Sequence, residues 1–405
     1  MNNNGALAGL KVLEYGDFIS APYCGKLLAD LGADVIKVEK PGKGDKARKY
    51  GPFPQDIPHP EKSGLFLYLN TNKRSITLNL NTAAGRKVFK ELAKWADVLI
   101  ENNPLSDLTK LGIDYDTLHQ INPKLVVTSI TYFGHTGPYR DYKGCDLINA
   151  HTSGEAFLNP AYEVFDPDHN PPLKLPGHSG DFQGGLIGAI CTMSGVFAQK
   201  LNGAGQHIDL SQQEALAWMV CHEAGDYFDA GITYLRDRKY RWAHSPKYAC
   251  KDGYVMMNIP EQFWDTLVKM MGYPEWAKEE AFKTPVSRYA NLDKSQPKII
   301  EWMKEQTIAE VEKTARAHHL PFSVIHSVKE VAEDEMFAER NFFVDVENPV
   351  AGKLRFPGAP CKFTTAPLQI RRPAPLLGEH NQEVYGQILG YPAENIVKMK
   401  QSGTI

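Results

Sequence analysis

The stretch His178-Ser179-Gly180-Asp181-Phe182-Gln183-Gly184-Gly185-Leu186 sets one carboxylate at the entrance of an apolar segment, with glycine on both sides. Two chemistries suit that pattern. Aspartate is a favoured helix N-cap, because its side chain accepts from the orphan N–H groups of the first turn. It is also a nucleophile. Gly180, Gly184 and Gly185 remove side chains around the carboxylate, so a bulky ligand can approach, and N–H groups at a helix start stabilise negative charge. A carboxylate held in this way attacks an activated acyl carbon directly, giving an anhydride without a general base. The residues alone leave both readings open, and the two are compatible.

Other chemical signatures fail on spacing. The turn Gly16-Asp17-Phe18-Ile19-Ser20-Ala21-Pro22 lacks G-x-G-x-x-G, which disfavours a nicotinamide cofactor. Gly177-His178-Ser179-Gly180-Asp181 approaches the G-x-S-x-G elbow of serine hydrolases, but aspartate stands at its last position and the segment before it is too rich in proline for a strand. No P-loop pattern occurs. Cys24, Cys145, Cys191, Cys221, Cys250 and Cys361 never fall at C-x-x-C spacing, and the histidines avoid i, i+4 pairs, with His318 and His319 on different sides of a helix. Neither a metal nor a disulfide framework is expected.

Lys and Arg number 45 against 48 Asp and Glu in 405 residues, and 42% of the residues are apolar. That near-neutral balance, without a run of basic residues, lacks the electrostatic footprint of a nucleic-acid or membrane-surface binder. No stretch has the ~18 apolar residues of a membrane span, and Met1-Asn2-Asn3-Asn4 has no basic or apolar leader region, so a cytoplasmic protein with a small-molecule partner is expected.

The elements that must position Asp181 read as alternating strands and helices. A strand over Leu10-Tyr15, a helix over Pro22-Leu31 and a strand over Val35-Glu39 make a βαβ unit. A helix over Thr82-Trp95, strands at Asp97-Glu101 and Leu125-Ile130, and a strand at His207-Leu210 before a helix over Gln212-Phe228 extend it. The alternation predicts an α/β fold with a mostly parallel sheet covered on both faces. Phe182-Gln199 is apolar nearly all round and predicts a buried helix. A boundary is expected at Arg236, Arg238, Lys239 and Arg241, before a strand over Gly253-Asn258. Helices over Phe263-Met271, Pro297-Lys304 and Ile308-His318 fill a smaller unit, and short strands with Pro-rich coil then lead to a helical stretch at Asn381-Leu389.

Leu7-Ala8-Gly9-Leu10-Lys11-Val12-Leu13-Glu14, then Ala21-Pro22, then Leu31 to Pro41 resemble the start of the family III CoA-transferases of the CaiB/BaiF type. The resemblance continues through Asn72-Lys73-Arg74-Ser75, Ala96 to Asn102, Phe133-Gly134 with Gly137-Pro138-Tyr139, Gly180-Asp181, Gly203 to Ser211 and Pro375 to His380. Joint order and spacing carry it, over residues 7 to about 390.

The resemblance implies that Asp181 is the nucleophile, forming a mixed anhydride with the acyl donor and then an aspartyl-CoA thioester that an acceptor carboxylate attacks. CoA, as substrate, would lie along the first βα turn near Phe18, Ile19 and Ser20. Lys40 and Lys73 would stand near its adenosine and phosphates, and Asn102, Lys110 and Lys143 would complete the groove. Asp146 joins the active site or caps a second helix. The implied fold is a Rossmann-like large domain, residues 1–225 with 331–405, plus a small domain over 226–330. The implied assembly is an interlocked dimer, of identical or similar chains.

Departures from the family narrow the chemistry. Asn102-Asn103-Pro104-Leu105-Ser106 replaces the usual Asn-Phe-Arg-Pro-Gly, and Ile19 replaces a glutamine of the oxalate-utilising members, which disfavours a very small polar acid. Cys145 stands where α-methylacyl-CoA racemases carry a histidine, and a thiol of pKa ~8.5 is a poor acid/base substitute, so transfer is favoured over racemisation or epimerisation. Trp218, Met219, Tyr227 and Phe228 either line an acyl pocket or belong to the core. A medium-sized acid, aromatic, hydroxylated or a betaine, is expected. The remaining alternatives are one subunit of a hetero-oligomeric transferase and a catalytically silent partner chain, against which retention of Asp181 speaks.

Overall fold

A computed structural model describes residues 5–159, 170–233, 247–257, 259 and 261–405. The expected boundary at Arg236 to Arg241 lies outside the described residues, as does Asn258. The chain forms two compact units: residues 1–156, 174–225 and 340–405 make the larger, and 157–173 with 226–339 the smaller.

The larger unit is built on β1 (Lys11–Tyr15), α1 (Ser20–Asp30), β2 (Asp34–Glu39), α2 (Gly64–Leu69), β3 (Arg74–Thr77), α3 (Ala83–Trp95) and β4 (Val98–Glu101). It continues with α4 (Leu105–Leu111), α5 (Tyr115–Ile121), β5 (Val126–Thr131), α6 (Asp146–Thr152), the first half of α7 (Glu155–Leu158, as far as Ala156), α8 (Ser179–Asn202), β6 (His207–Ser211) and α9 (Gln212–Met219). All six strands are parallel, in the order β3-β2-β1-β4-β5-β6. Alternation along β1 sends Leu13 into one core and Val12 into the other. Leu13, Ile36, Ile76 and Leu99 meet Val88, Phe89 and Leu92 of α3, while Val12, Val35 and Val98 meet Leu28 of α1 and Ile187 of α8. Strand order reverses between β1 and β4, so the loops leaving these two strands diverge and open a crevice at their carboxyl ends.

Helix α8 departs from its expected burial. Its glycine-bearing side packs on α1 and β5, and a Cβ at Gly185 would lie 2.6 Å from the Ser20 carbonyl oxygen. The opposite side holds Leu186, Ile190, Phe197 and Leu201 exposed, Phe197 at 65%. An all-round apolar helix therefore buries one side within its own chain and leaves the other for a further surface.

Strand β3 went unread because Arg-Ser-Ile-Thr is short and polar; it is held by a distant segment. Tyr385 donates to the Thr77 carbonyl at 2.6 Å, the His380 N–H reaches Ser75 O at 2.9 Å, and Asn79 N–H reaches Thr404 O at 2.8 Å.

The smaller unit carries α10 (Cys221–Ala230, from Asp226 onward) and a three-stranded antiparallel sheet of β7 (Lys247–Cys250), β8 (Gly253–Met257) and β9 (Phe322–Val324). Helices over Trp264–Met270, Leu292–Lys304 and Ile308–Ala317 close a core around Val255, Leu267, Met303 and Val311. The second of these begins before Pro297, which sits inside it.

Candidate active site

The β1–α1 loop is set on a buried lattice of charges. Lys37 of β2 is 2.8 Å from Glu14 and 2.7 Å from Asp45, and its ammonium also donates to Gly16 O at 3.0 Å. Lys73 meets the other Glu14 oxygen at 2.8 Å, and Arg48 meets Glu39 at 2.7 Å. Each such pair repays its desolvation only with tight geometry, and breaking one leaves a stranded charge, so the lattice holds the loop in one register. Above it Asp45 accepts the Phe18 N–H at 3.0 Å, while Asn102 accepts the Asp17 N–H at 2.9 Å and donates to Asp17 O at 2.8 Å. Phe18 is held at φ +70, a left-handed conformation costly for an aromatic residue. That turn brings its ring edge-on to Tyr50 at 4.8 Å and to His178 at 5.0 Å.

Beside this loop, in the crevice at the carboxyl ends of β1, β2 and β4, lies a cleft of about 660 Å³. Its walls include Gly16, Asp17, Lys40, Lys43, Asn103 and Lys110. Asp17, Glu39, Asp45 and Asp107 share the lining but are paired with Lys46, Arg48, Lys37 and Lys110 respectively, so the ammonium groups and a volume within the usual ~300–1,000 Å³ of small-molecule sites suit a phosphorylated ligand. Of the residues expected near CoA, Lys40 and Lys110 line this cleft. Lys73 does not: it is fully buried, donates to Pro22 O and Asn70 at 2.7 and 2.9 Å, and its pKa is lowered to about 8 by burial and by Lys37 against the pull of Glu14. Ile19 and Ser20 are likewise interior, Ile19 as the residue before α1 and Ser20 as a 3.1 Å acceptor from Asn102. Asn102 clamps the loop, and its neighbour Asn103 lines the cleft. Lys143 is exposed and is not among the residues lining the cleft.

Asp181 is the third residue of α8 and only 2% exposed. It is not the cap: His178 holds that position, without a side-chain cap bond. The Asp181 N–H instead donates to Asp146 Oδ1 at 3.1 Å, so the first residue of α6 closes the start of α8 from outside. A Cβ at Gly180 would lie 2.7 Å from that same oxygen, which explains the glycine. Lys174 balances the arrangement, with Nζ 2.7 Å from Asp146 Oδ2 and donating to Leu175 O at 2.8 Å and to Gly177 O.

Burial raises the Asp181 pKa to about 7, Asp146 pushes in the same direction, and the Tyr132 hydroxyl bond and Lys174 oppose the rise. Asp181 Oδ2 is buried without a hydrogen-bond partner and faces His178 Nδ1 at 3.4 Å. A buried, unsatisfied carboxylate oxygen is costly to hold and therefore poised to react. The expectation that backbone N–H groups steady this carboxylate is not met among the described residues.

The sequence reading missed Tyr132, His178, Lys174, Lys43 and Asn103. His178 carried a usable signal, three residues before Asp181; Lys174, in a proline-rich segment, carried none. Cys145 is exposed, directly before α6. Trp218 and Met219 of α9 are exposed, so within this chain they are not core. Among the described residues no helix is long and apolar enough to cross a membrane.

The sequence profile of CoA-transferase family III matches residues 7–381. A formyl-CoA:oxalate CoA-transferase of Rhodopseudomonas palustris is 31% identical over 99% of this chain and 97% of its own length. One from Streptomyces avermitilis is 31% identical over 99% of both. The crystal structure of a CAIB/BAIF family protein from Brucella suis superposes with a TM-score of 0.82 at 30% identity, covering 95% of this chain and all of that one.

Proposed function

The chain belongs to CoA-transferase family III, and from that premise we propose that it moves CoA from an acyl-CoA to an organic acid with Asp181 as the covalent carrier. The observation that carries the proposal is the unpartnered Oδ2 of a buried carboxylate, reached through His178 and Phe18 from the loop whose Gly16 and Asp17 line a cleft bearing three ammonium groups. Asp181 attacks the thioester carbonyl, CoA thiolate leaves, and a mixed anhydride forms. The thiolate then attacks the aspartyl carbonyl, releasing the donor acid and leaving aspartyl-CoA. The acceptor carboxylate attacks that thioester, and the returning thiolate takes the acceptor acyl group, freeing Asp181. Lys40, Lys43 and Lys110 hold the phosphates, and Phe18 and Tyr50 border the reacting groups.

The relatives place formyl-CoA and oxalate first in a substrate screen. The aromatic trio of Phe18, Tyr50 and His178 favours a larger acceptor, a medium-sized acid with an apolar or hydroxylated body. The exposed apolar side of α8 supports a dimer of such chains, which we read as interlocked.

The test is to incubate the enzyme with formyl-, acetyl-, propionyl- and succinyl-CoA, each with a panel of acids, detecting new CoA esters by mass. Hydroxylamine added with donor alone should inactivate the enzyme and leave a hydroxamate on Asp181, and Asp181→Ala should abolish transfer with the fold intact. Full activity in Asp181→Ala would sink the proposal.

A further inference from the structure

His178 lies between Phe18, which follows the cleft-lining Asp17 in the chain, and Asp181. Its ring takes the edge of Phe18 at 5.0 Å and of Tyr50 at 5.8 Å, and its buried Nδ1 has no hydrogen-bond partner 3.4 Å from Asp181 Oδ2. Glu155, which interacts with Asp146 and Lys174, also has both carboxylate oxygens buried without a hydrogen-bond partner, but nothing places it against Asp181; the remaining ionisable groups here are committed. Lys174 is bound to Asp146 and to two carbonyl oxygens. Asp146 accepts the Asp181 N–H. Tyr132 bonds the Asp181 carboxyl, and burial beside that carboxyl keeps its proton on. Tyr50 touches His178 through its ring and is half exposed.

Resting on the transferase reading, we propose that His178 carries the proton of the CoA thiol during exchange. When the Asp181 oxygen bonds to the acyl carbon, the carbon–sulfur bond breaks and its electron pair leaves on sulfur. The imidazolium gives that thiolate its proton, leaving neutral imidazole, anhydride and CoA thiol. In the next step imidazole takes the proton back as the sulfur attacks the aspartyl carbonyl, and the donor carboxylate leaves with the electron pair of the broken carbon–oxygen bond. No proton is lost or gained over the cycle. Holding the proton on sulfur between the two steps keeps the thiolate from returning to the donor acyl carbon.

General acid–base catalysis contributes ~10²–10⁴-fold, and because a thiolate leaves readily the low end, about 10²-fold, is expected here. The experiment follows CoA thiol release in a single turnover, using whichever of formyl-, acetyl-, propionyl- or succinyl-CoA transfers fastest, in the native enzyme and in His178→Gln across the pH range. The native rate should rise with pH as Asp181 ionises. His178→Gln should lose about 10²-fold in rate while still yielding the Asp181 hydroxamate. His178→Gly should regain rate with added imidazole, which serves also should the glutamine variant fail to fold. A rate in His178→Gln within about threefold of native, or a labelled but unrescued glycine variant, overturns the proposal. Absence of the hydroxamate in the native enzyme would instead strike the transferase reading itself.

Discussion

At the scale of single residues, the ionisation of Asp181, the proposed nucleophile, is set by opposing causes. Burial and Asp146 raise its pKa, and the Tyr132 hydroxyl and Lys174 lower it. Lys174→Met should therefore move the acid limb of kcat/KM upward by about one unit, and Asp146→Asn, which keeps an oxygen for the Asp181 N–H, should move it down. Unmoved limbs in both variants would mean that neither group acts on Asp181. The same raised value has a cost in stability. Because the Asp181 pKa goes from 3.8 to about 7 on folding, the native state binds the proton more tightly, and stability falls as pH rises between those values. Asp181→Asn should thus be more stable than native by roughly 2–4 kcal/mol near pH 8, with the gain gone near pH 4, read as apparent Tm. An equal difference at both ends would contradict the buried charge. Asp181 was legible because glycines on both sides make a lone carboxylate conspicuous. The cations were not: Lys40, Lys73, Lys110 and Lys143 look alike in sequence, and only the fold separates a cleft ammonium from one sealed against Glu14.

At the scale of elements, that separation becomes a paired experiment. Lys73, between α2 and β3, supports the β1–α1 loop through Glu14, whereas Lys40 at the end of β2 faces the cleft. Lys73→Met should lower stability by about 3–5 kcal/mol, as expected for one partner removed from a buried pair. Lys40→Ala should leave the melting curve in place and raise KM for the acyl-CoA about tenfold, near ~1–2 kcal/mol for a lost charged contact. A raised KM with unchanged stability in Lys73→Met would restore it as a phosphate ligand. The βαβ elements were legible from hydrophobic runs, and their ends shifted by one or two residues, α1 starting at Ser20 where Pro22 was read. Strand β3 and the charge lattice were illegible because Lys37, Glu14 and Lys73 are polar residues at interior positions, which periodicity assigns to solvent. Helix α8 was read correctly as apolar, but periodicity carries no information on which chain covers it.

At the scale of the molecule, the exposed side of α8 supports the proposed dimer, and if its chains interlock they cannot separate without unfolding. Sedimentation at nanomolar concentration should show a persistent dimer; a folded monomer in reversible equilibrium would contradict the interlock. The larger unit is also discontinuous, and Gly403 stands in the wall of the cleft alongside residues from β1, β2 and α4. A ribosome completes the sixth strand at Ser211 and reaches Gly403 nearly two hundred residues later. At about 5–20 residues per second that is a wait of roughly ten to forty seconds, during which the outer edge of β3 lacks the segment that covers it. The nascent chain therefore has a sheet with an open edge and an unfinished cleft until Gly403 has been made.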